Sequence, residues 1–296
     1  MAVWIFSKTQ GAEHLNLRQF FSTALACLPM VFILNIAQAQ ETITISGSTT
    51  VAPIASRAAE AFLVNRPEIR ILVNGGGSGV GINAVGSGLA QIGMASRMIT
   101  PRELSRFERS QLKAHAVGRD GVACAISASI YNAGVRALTR EQIAGIYLGK
   151  IKNWSALGGP DSAIVVIDKE RHRGTRHVFM NYVFGDANAR TPGARLVTGS
   201  NNEERAKIAQ SDAAIGMLSL AWLNDAVKGV AIQEGDARIE PSVANVRSGA
   251  YPITRDLLFV TAGEPVGAVK EFMEFIYGPK GKEIVVDSGY IPIERP

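Results

Sequence analysis

The chain has 296 residues, enough for two ordinary domains with their own cores, and its 31 Lys and Arg against 26 Asp and Glu give a net charge of +5. Mild basicity of this kind suits an anionic ligand. Nucleic-acid binding is not expected, because the basic residues form no long run or stripe apart from a short cluster at residues 169–176.

The N-terminus has the pattern of a secretory signal peptide. Lys8 and Arg18 precede a long apolar run at residues 20–36, and a small-x-small triplet follows at residues 37–39. We therefore predict a signal peptide over residues 1–39, a mature chain that starts at Gln40, and export to the periplasm. A retained membrane anchor is the alternative, because a run of about 17 residues lies at the short edge of what spans a bilayer.

Cleavage after residue 39 changes the charge and the cysteine content. It removes two of the 31 cationic residues and one of the 26 acidic ones, so the mature chain carries +4. Cys27 leaves with the signal peptide, although lipidation of Cys27 stays open. Cys124 is then the only thiol, which predicts no internal disulfide, and a small buried side chain is the better interpretation of it. No later stretch approaches 18 apolar residues, so the mature chain is expected to be soluble.

The mature chain begins with a regular alternation of strands and helices. The hydrophobic pattern predicts strands at residues 42–45, 69–73 and 91–95, with helices at 51–65 and 81–89 between them. This β-α-β-α-β order predicts a parallel sheet that is covered by helices.

A similar pattern restarts after residues 119–121. It predicts strands at 122–126, 164–167, 214–218 and 257–260, and helices at 139–147, 202–210, 266–277 and from the basic cluster to residue 182. Thr139 is the expected N-cap of its helix. The whole chain is therefore predicted to be an α/β protein.

Polar turns follow four of the predicted strands, and three of these turns lead directly into a predicted helix. The turns lie at residues 48–50, 75–79, 96–97 and 173–175. Ligands of open α/β sheets bind at the carboxyl ends of the strands, where helix N-termini present free N–H groups and positive dipole ends. Converging turns of this kind predict an anion site that needs no metal.

Each turn also has a purely structural interpretation. The hydroxyls at 48–50 can cap a helix, the glycines at 75–79 can relieve strain at positive φ, and the basic cluster can be a solvated surface. The glycines alone leave both interpretations open. We favour a ligand role because three consecutive hydroxyls exceed what capping needs, and because Ser78 adds a donor that a simple turn does not require. Arginines at a helix start can also bind oxyanions bidentately.

The sequence offers little for catalysis or metal binding. It has no HExxH or CxxC pattern and no Gly-x-Ser-x-Gly elbow. His172 and His177 stand five residues apart, so they do not share a helical face. We therefore predict that the protein is not an enzyme, has no metal site and needs no cofactor.

Seven segments together resemble the periplasmic phosphate-binding proteins of ABC transporters, in their shorter form. They read ISGSTTV at 45–51, GGGSGVGI at 75–82, IGMASR at 92–97, IYLGKIKNW at 146–154, RGTR at 173–176, AIG at 214–216 and GYIP at 289–292. Each segment is weak alone, but their order and spacing make a specific signature over nearly the whole mature chain.

The resemblance implies a two-lobed periplasmic-binding-protein fold. Each lobe would have a central, mostly parallel sheet flanked by helices, and two hinge crossovers would join the lobes. Lobe I would comprise residues 41–120 and 249–296, and lobe II residues 121–248, with hinges near 119–121 and 247–252.

The resemblance also implies the ligand, the partners and the site. The ligand would be phosphate or a similar oxyanion, the partners would be ABC permease subunits, and the protein would be a monomer. The implied ligand contacts are Thr49, Thr50, Ser78, Ser96, Arg97, Gly174 and Thr175. The cations of the second-lobe loop, Lys169 and Arg173, join this set.

That loop departs from the family pattern. It usually reads Arg-x-x-x-Ser-Gly-Thr, whereas here Lys169 takes the Arg position and Arg173 takes the Ser position. Lysine keeps the charge but loses the bidentate fork. Binding of sulfate, another oxyanion or a small organic phosphate is therefore an alternative. A non-transport sensor or adhesin and a secreted phosphate-ester hydrolase are further alternatives.

Overall fold

A computed structural model describes residues 40–294. The chain divides into two units between residues 39 and 40, and the description covers the second unit, Gln40–Pro296, up to residue 294. The predicted signal peptide and Cys27 lie outside the described residues. Among the helices that are described, none combines the length and the apolar character needed to cross a membrane.

The helices and strands alternate along most of the chain. The helices are α1 Ala52–Leu63, α2 Ser78–Gly86, α3 Pro101–Arg106, α4 Ala128–Asn132, α5 Arg140–Tyr147, α6 Gly174–Phe184, α7 Asn201–Ala209, α8 Val243–Ser248, α9 Gly267–Tyr277 and α10 Pro279–Asp287. The strands are β1 Thr42–Gly47, β2 Arg70–Gly75, β3 Ile92–Ala95, β4 Leu112–Ser127, β5 Ala137–Thr139, β6 Val165–Lys169, β7 Leu196–Thr198, β8 Ala214–Ser219, β9 Val227–Gly229, β10 Ala231–Glu234, β11 Ala237–Ile239 and β12 Thr254–Ala262.

One sheet runs through the described part of the chain in the order β2-β1-β3-β12-β4-β8-β6-β7. The pairs that β1 forms with β2 and β3 are parallel, and so are the pairs that β6 forms with β7 and β8. The long strand β4 and strand β12 run antiparallel to each other and to their outer neighbours. Two parallel groups of strands are therefore joined by an antiparallel pair in the middle. A small sheet, β11-β10-β5, lies apart from this path.

Two hydrophobic cores lie along this sheet. The first contains Ile45, Phe62 and Phe272, and its two phenylalanine rings pack edge to face with centroids 5.5 Å apart. The second surrounds Trp154 and Phe179, both fully buried. We call the parts built on these cores the first lobe and the second lobe.

Strand β4 and the segment that leads into β12 connect the two lobes. Val117 and Leu257 pack in the first core. Val122, Tyr251 and Ile253 pack in the second core. The chain therefore passes from one core to the other within a few residues of each strand.

Candidate functional site

Three serines of the first lobe meet at one edge of the sheet. Ser48 follows β1, Ser78 begins α2 after β2, and Ser96 follows β3. Because these three strands are parallel neighbours, their carboxyl ends lie side by side. The Oγ of Ser48 donates to the Oγ of Ser96 at 3.0 Å, and the Oγ atoms of Ser78 and Ser96 lie 3.3 Å apart. All three side chains are buried.

The second lobe places the start of α6 against these serines. A Cβ at Gly174 would lie 2.3 Å from the Oγ of Ser78 and 2.5 Å from the Oγ of Ser96, so only glycine fits. The first N–H groups of α6, beginning at Gly174 and Thr175, have no acceptor within the helix. They are therefore donors at the positive end of a helix, next to a group of hydroxyls.

The guanidinium of Arg255, on β12, joins hydroxyls of the two lobes. Its Nη1 donates to the Oγ1 of Thr175 at 3.0 Å and to the carbonyl oxygen of Ser96 at 3.3 Å, and its Nη2 donates to the Oγ1 of Thr50 at 3.4 Å. Arg255 is only 6% exposed. We use the name hydroxyl cluster for Ser48, Thr50, Ser78, Ser96 and Thr175 together.

Asp120, on β4, balances the charge of Arg255. Its Oδ2 accepts from Nε of Arg255 at 3.0 Å and from Nη2 at 2.8 Å, and its Oδ1 accepts from Ser219 at 2.9 Å. Burial raises the pKa of Asp120, and the nearby Arg255 opposes that rise. This carboxylate therefore holds Arg255 in place and has little capacity left for another partner.

Asn201, the first residue of α7, reaches the cluster from the second lobe. Its Nδ2 donates to the Oγ1 of Thr50 at 2.8 Å, and both side chains are buried. Thr50 thus accepts hydrogen bonds from Asn201 and from Arg255. Because a hydroxyl oxygen has two lone pairs, the O–H of Thr50 remains to donate to something else.

The three predicted cations lie near the cluster but each already pairs with an acid. Arg97 donates to Glu103 at 2.7 Å and 2.8 Å. Lys169 pairs with Glu204, and Arg173 donates through Nε to Glu170 at 2.8 Å. Their ligand contacts therefore stay a prediction, and the structure shows them supporting the loops around the cluster.

Thr49 differs from its two neighbours. It is half-buried, and within residues 40–294 its hydroxyl has no hydrogen-bond partner. The structure thus brings Thr50, Ser78, Ser96, Gly174 and Thr175 together, whereas it shows no hydrogen bond from Thr49 to this group.

Sequence reasoning missed two residues of the site, Arg255 and Asn201. Arg255 stands two residues before the predicted strand at 257–260, and a cation at the edge of an apolar run is a signal that could have drawn attention to it. Asn201 stands at a helix start, where an asparagine is usually interpreted as an ordinary N-cap.

A cavity of about 520 Å³ lies beside the cluster. Residues of both lobes line it, among them Arg97, His177, Asn181 and Arg255. Burial and the charge of Arg97 lower the pKa of His177. Among the residues described here, no group of three or more His, Cys, Asp or Glu is placed to hold a metal ion.

Comparison with known proteins gives three concordant matches. A family model described as a PBP superfamily domain matches residues 35–280. The chain is 34% identical over 257 residues to the phosphate-binding protein PstS of Bacillus subtilis, covering 86% of this chain and 82% of that protein. It is 26% identical over 264 residues to the PstS of Borreliella burgdorferi, covering 86% of this chain and 91% of that one.

Solved structures agree with these relatives. A candidate phosphate ABC transporter substrate-binding protein from Clostridium perfringens, solved with bound phosphate, superimposes with a TM-score of 0.77 and 32% identity, covering 86% of this chain and 100% of that one. An ABC-type phosphate transport receptor from Vibrio cholerae gives a TM-score of 0.68 and 32% identity, covering 85% and 100% of the two chains.

Proposed function

The chain belongs to the PBP superfamily and, within it, to the family of PstS phosphate-binding proteins, and from this premise we propose that it captures inorganic phosphate between its two lobes and delivers it to an ABC permease. It acts outside the cytoplasm, in the periplasm, after removal of residues 1–39. It is a monomeric binding protein and not an enzyme.

The observation that carries this proposal is the arrangement of hydrogen-bond donors at the hydroxyl cluster. Thr50 and Thr175 accept from Arg255, which leaves each O–H free to donate to an anion. The N–H groups at the start of α6 add donors from the second lobe. Hydroxyl and backbone donors gathered around a buried guanidinium suit an oxyanion that gives up its hydration shell.

Capture follows from the division of this site between two lobes. We place the lobe boundary so that residues 41–120 and 249–296 form lobe I and residues 121–248 form lobe II, with hinges in or next to β4 and β12. Phosphate binds first to the donors of one lobe, and closure brings up the donors of the other. The closed pair of lobes presents the joint surface that the permease recognises.

The predicted site residues then divide into two groups. Thr50, Ser78, Ser96, Gly174 and Thr175 contact the ligand, and Thr49 contacts it at the margin. The head groups of the cations Arg97, Lys169 and Arg173 already pair with acids. These cations therefore act on the ligand through their electrostatic field and by holding the loops around the site in place.

Calorimetric titration of the mature protein tests the proposal, after unfolding and refolding to remove bound ligand. We expect one phosphate per chain at neutral pH. Gly174→Ala should abolish binding, because the new Cβ would collide with two serine hydroxyls when the lobes close. Ser87→Ala, at the exposed end of α2, is the matched control and should bind normally. Absence of binding by the unaltered protein would reject the proposal.

Sulfate is a second candidate, favoured by one observation. Phosphate at neutral pH carries a proton that needs an acceptor, whereas sulfate carries none. Asp120, Glu170 and Glu204, the carboxylates beside the site, each pair with a cation already. Among the residues that the structure describes at the cluster, the serine hydroxyl oxygens are left to accept that proton. A sulfate titration under the same conditions decides: binding as tight as that of phosphate would make the ligand a general tetrahedral oxyanion.

A further inference from the structure

The two lobes contact each other directly at the loop that follows β6. His172, in that loop, lies against the glycine-rich turn that follows β2 in the first lobe. The backbone N–H of Gly79 donates to the carbonyl oxygen of His172 at 3.0 Å. The Nε2 of His172 lies 3.0 Å from the carbonyl oxygen of Gly76. Since a carbonyl oxygen only accepts, Nε2 carries the hydrogen and donates it.

The glycine turn is shaped to receive this histidine. A Cβ at Gly77 would lie 3.0 Å from Cδ2 of His172 and 2.7 Å from Cδ of Arg173, and a Cβ at Gly79 would lie 3.1 Å from Cβ of His172. Gly77 also has a φ of 98°, which side chains rarely adopt. The glycines therefore allow close approach of the opposite lobe.

Both sides of this contact are held in place by their own lobes. The N–H groups of Gly76 and Gly77 each donate to the carbonyl oxygen of Gly47 at 2.8 Å, which fixes the turn to the end of β1. On the other side, Nε2 of His172 lies 3.3 Å from the Oε2 of Glu170, and the same oxygen accepts from Arg173. The imidazole of His172, which stays 41% exposed, thus rests on a turn that is fixed to β1, and it extends from a loop that an ion pair braces.

We propose that His172 is a latch that holds the two lobes closed over the bound anion and so sets the rate at which the anion leaves. The inference rests on the proposed function for the identity of the anion. The latch makes its hydrogen bonds to the opposite lobe without touching the hydroxyl cluster. It therefore stabilises the closed form whether or not a ligand is bound, and it acts as a positioning residue.

Release kinetics test the latch. The mature protein is loaded with radiolabelled phosphate, and release into an excess of unlabelled phosphate is followed for His172→Ala, His172→Gln and Arg171→Ala. A hydrogen bond contributes about 0.5–1.5 kcal/mol, so His172→Ala should release phosphate about twofold to twelvefold faster, with an unchanged association rate. His172→Gln keeps an N–H donor and should remain within about twofold of wild type. Arg171→Ala, at the exposed neighbour, should match wild type.

The latch is rejected if His172→Ala releases phosphate at the wild-type rate. It is also rejected if Arg171→Ala releases phosphate as fast as His172→Ala does. If wild-type protein binds no phosphate, the proposed function fails, and small-angle X-ray scattering of the ligand-free proteins decides the latch. A larger radius of gyration for His172→Ala than for wild type and His172→Gln would support it, and equal radii would reject it.

Discussion

Arg255 shows what a single residue does at the centre of this site. Its planar fork donates to Thr175 and Ser96 on one side and to Asp120 on the other. Lysine would keep the charge but could not reach several partners in fixed directions. The carboxylate of Asp120 neutralises the buried guanidinium, which would otherwise be costly to remove from water. The pair thus supplies directed donors at the site with almost no net charge.

The thiol of Cys124 gives a prediction at the same scale. The side chain is fully buried, and burial raises its pKa above the ordinary thiol value. Because the thiolate is the reactive form, we expect the native protein to be inert to a thiol reagent such as DTNB near pH 8. In guanidinium chloride the mature chain should react with one equivalent.

The number of equivalents also tests the signal peptide. The full sequence contains two cysteines, Cys27 and Cys124. Two equivalents per unfolded chain of the protein recovered from cells would show that Cys27 is retained, which contradicts the predicted cleavage after residue 39. Reaction of the native protein as fast as that of the unfolded one would contradict the burial of Cys124.

Hydroxyl positions in the site were predictable from the sequence, whereas the partners of its charges were not. Ser78 and Ser96 follow recognisable strands, and strand ends meet at one edge of a parallel sheet. The acid that pairs with Arg255 is 135 residues away in sequence, at Asp120. No local pattern encodes such a pair, because it depends on how two distant strands come together.

Elements were predicted best where a local signal marks their start. Thr139 caps α5 as expected, and Gln142 completes a capping box with it. Helix α2 begins at Ser78, earlier than the predicted residue 81, because glycines hide the start of the apolar pattern. The predicted strand at residues 122–126 is only the last part of β4, since the earlier part of that strand is polar and half-exposed. Helix α10 was not predicted.

The ion pair between Lys169 and Glu204 fastens α7 to the sheet. Lys169 ends β6, Glu204 lies on α7, and both are buried. The Oε1 of Glu204 accepts from the N–H of Met217 on β8 at 2.7 Å. A Cβ at Gly216 would lie 2.5 Å from that Oε1, so the glycine makes room for the carboxylate. The pair therefore sets where Asn201, at the start of α7, meets the other lobe.

We predict that Lys169→Met destabilises the protein, and more so at pH 8 than at pH 5. Burial raises the pKa of Glu204 from its ordinary value of 4.5 to about 7, and Lys169 opposes that rise. Without Lys169 the pKa rises further. At pH values between the pKa of Glu204 in the unfolded chain and its higher pKa in the folded variant, the folded state binds more protons than the unfolded state. The free energy of unfolding therefore falls as the pH increases. Removing one partner of a buried pair costs about 3–5 kcal/mol, which we expect at pH 8.

Urea denaturation at pH 5 and pH 8 measures this effect. Lys207→Met, which removes an exposed lysine from the same helix α7, is the matched control and should change stability by less than about 0.5 kcal/mol at both pH values. Equal destabilisation of Lys169→Met at the two pH values would contradict the assignment of the effect to the buried carboxylate.

At the scale of the whole molecule, the two-lobed fold predicted from the family resemblance is confirmed by the match to the Clostridium perfringens structure at a TM-score of 0.77. Hydrophobic periodicity alone predicted two alternating α/β segments but not how they are joined. The join depends on β4 and β12, whose pairing extends from Leu112 opposite Ala262 to Gly121 opposite Thr254. That pairing spans more than a hundred residues of sequence, beyond the reach of a local pattern.

This shared pair of strands predicts that the lobes unfold together. Val117 and Val122, both on β4, belong to different cores, and so do Ile253, just before β12, and Leu257, on β12. Loss of either lobe would expose the edge of β4 or β12 and part of the other core, so neither lobe keeps its stability alone. We therefore expect a single thermal transition whose calorimetric and van't Hoff enthalpies agree.

Phosphate at about 100 times its Kd should add about 2.7 kcal/mol and raise the Tm by roughly 5–10 °C without splitting the transition. Two resolved transitions, of which phosphate moves only one, would instead mean that the lobes fold independently and that β4 and β12 act as flexible tethers.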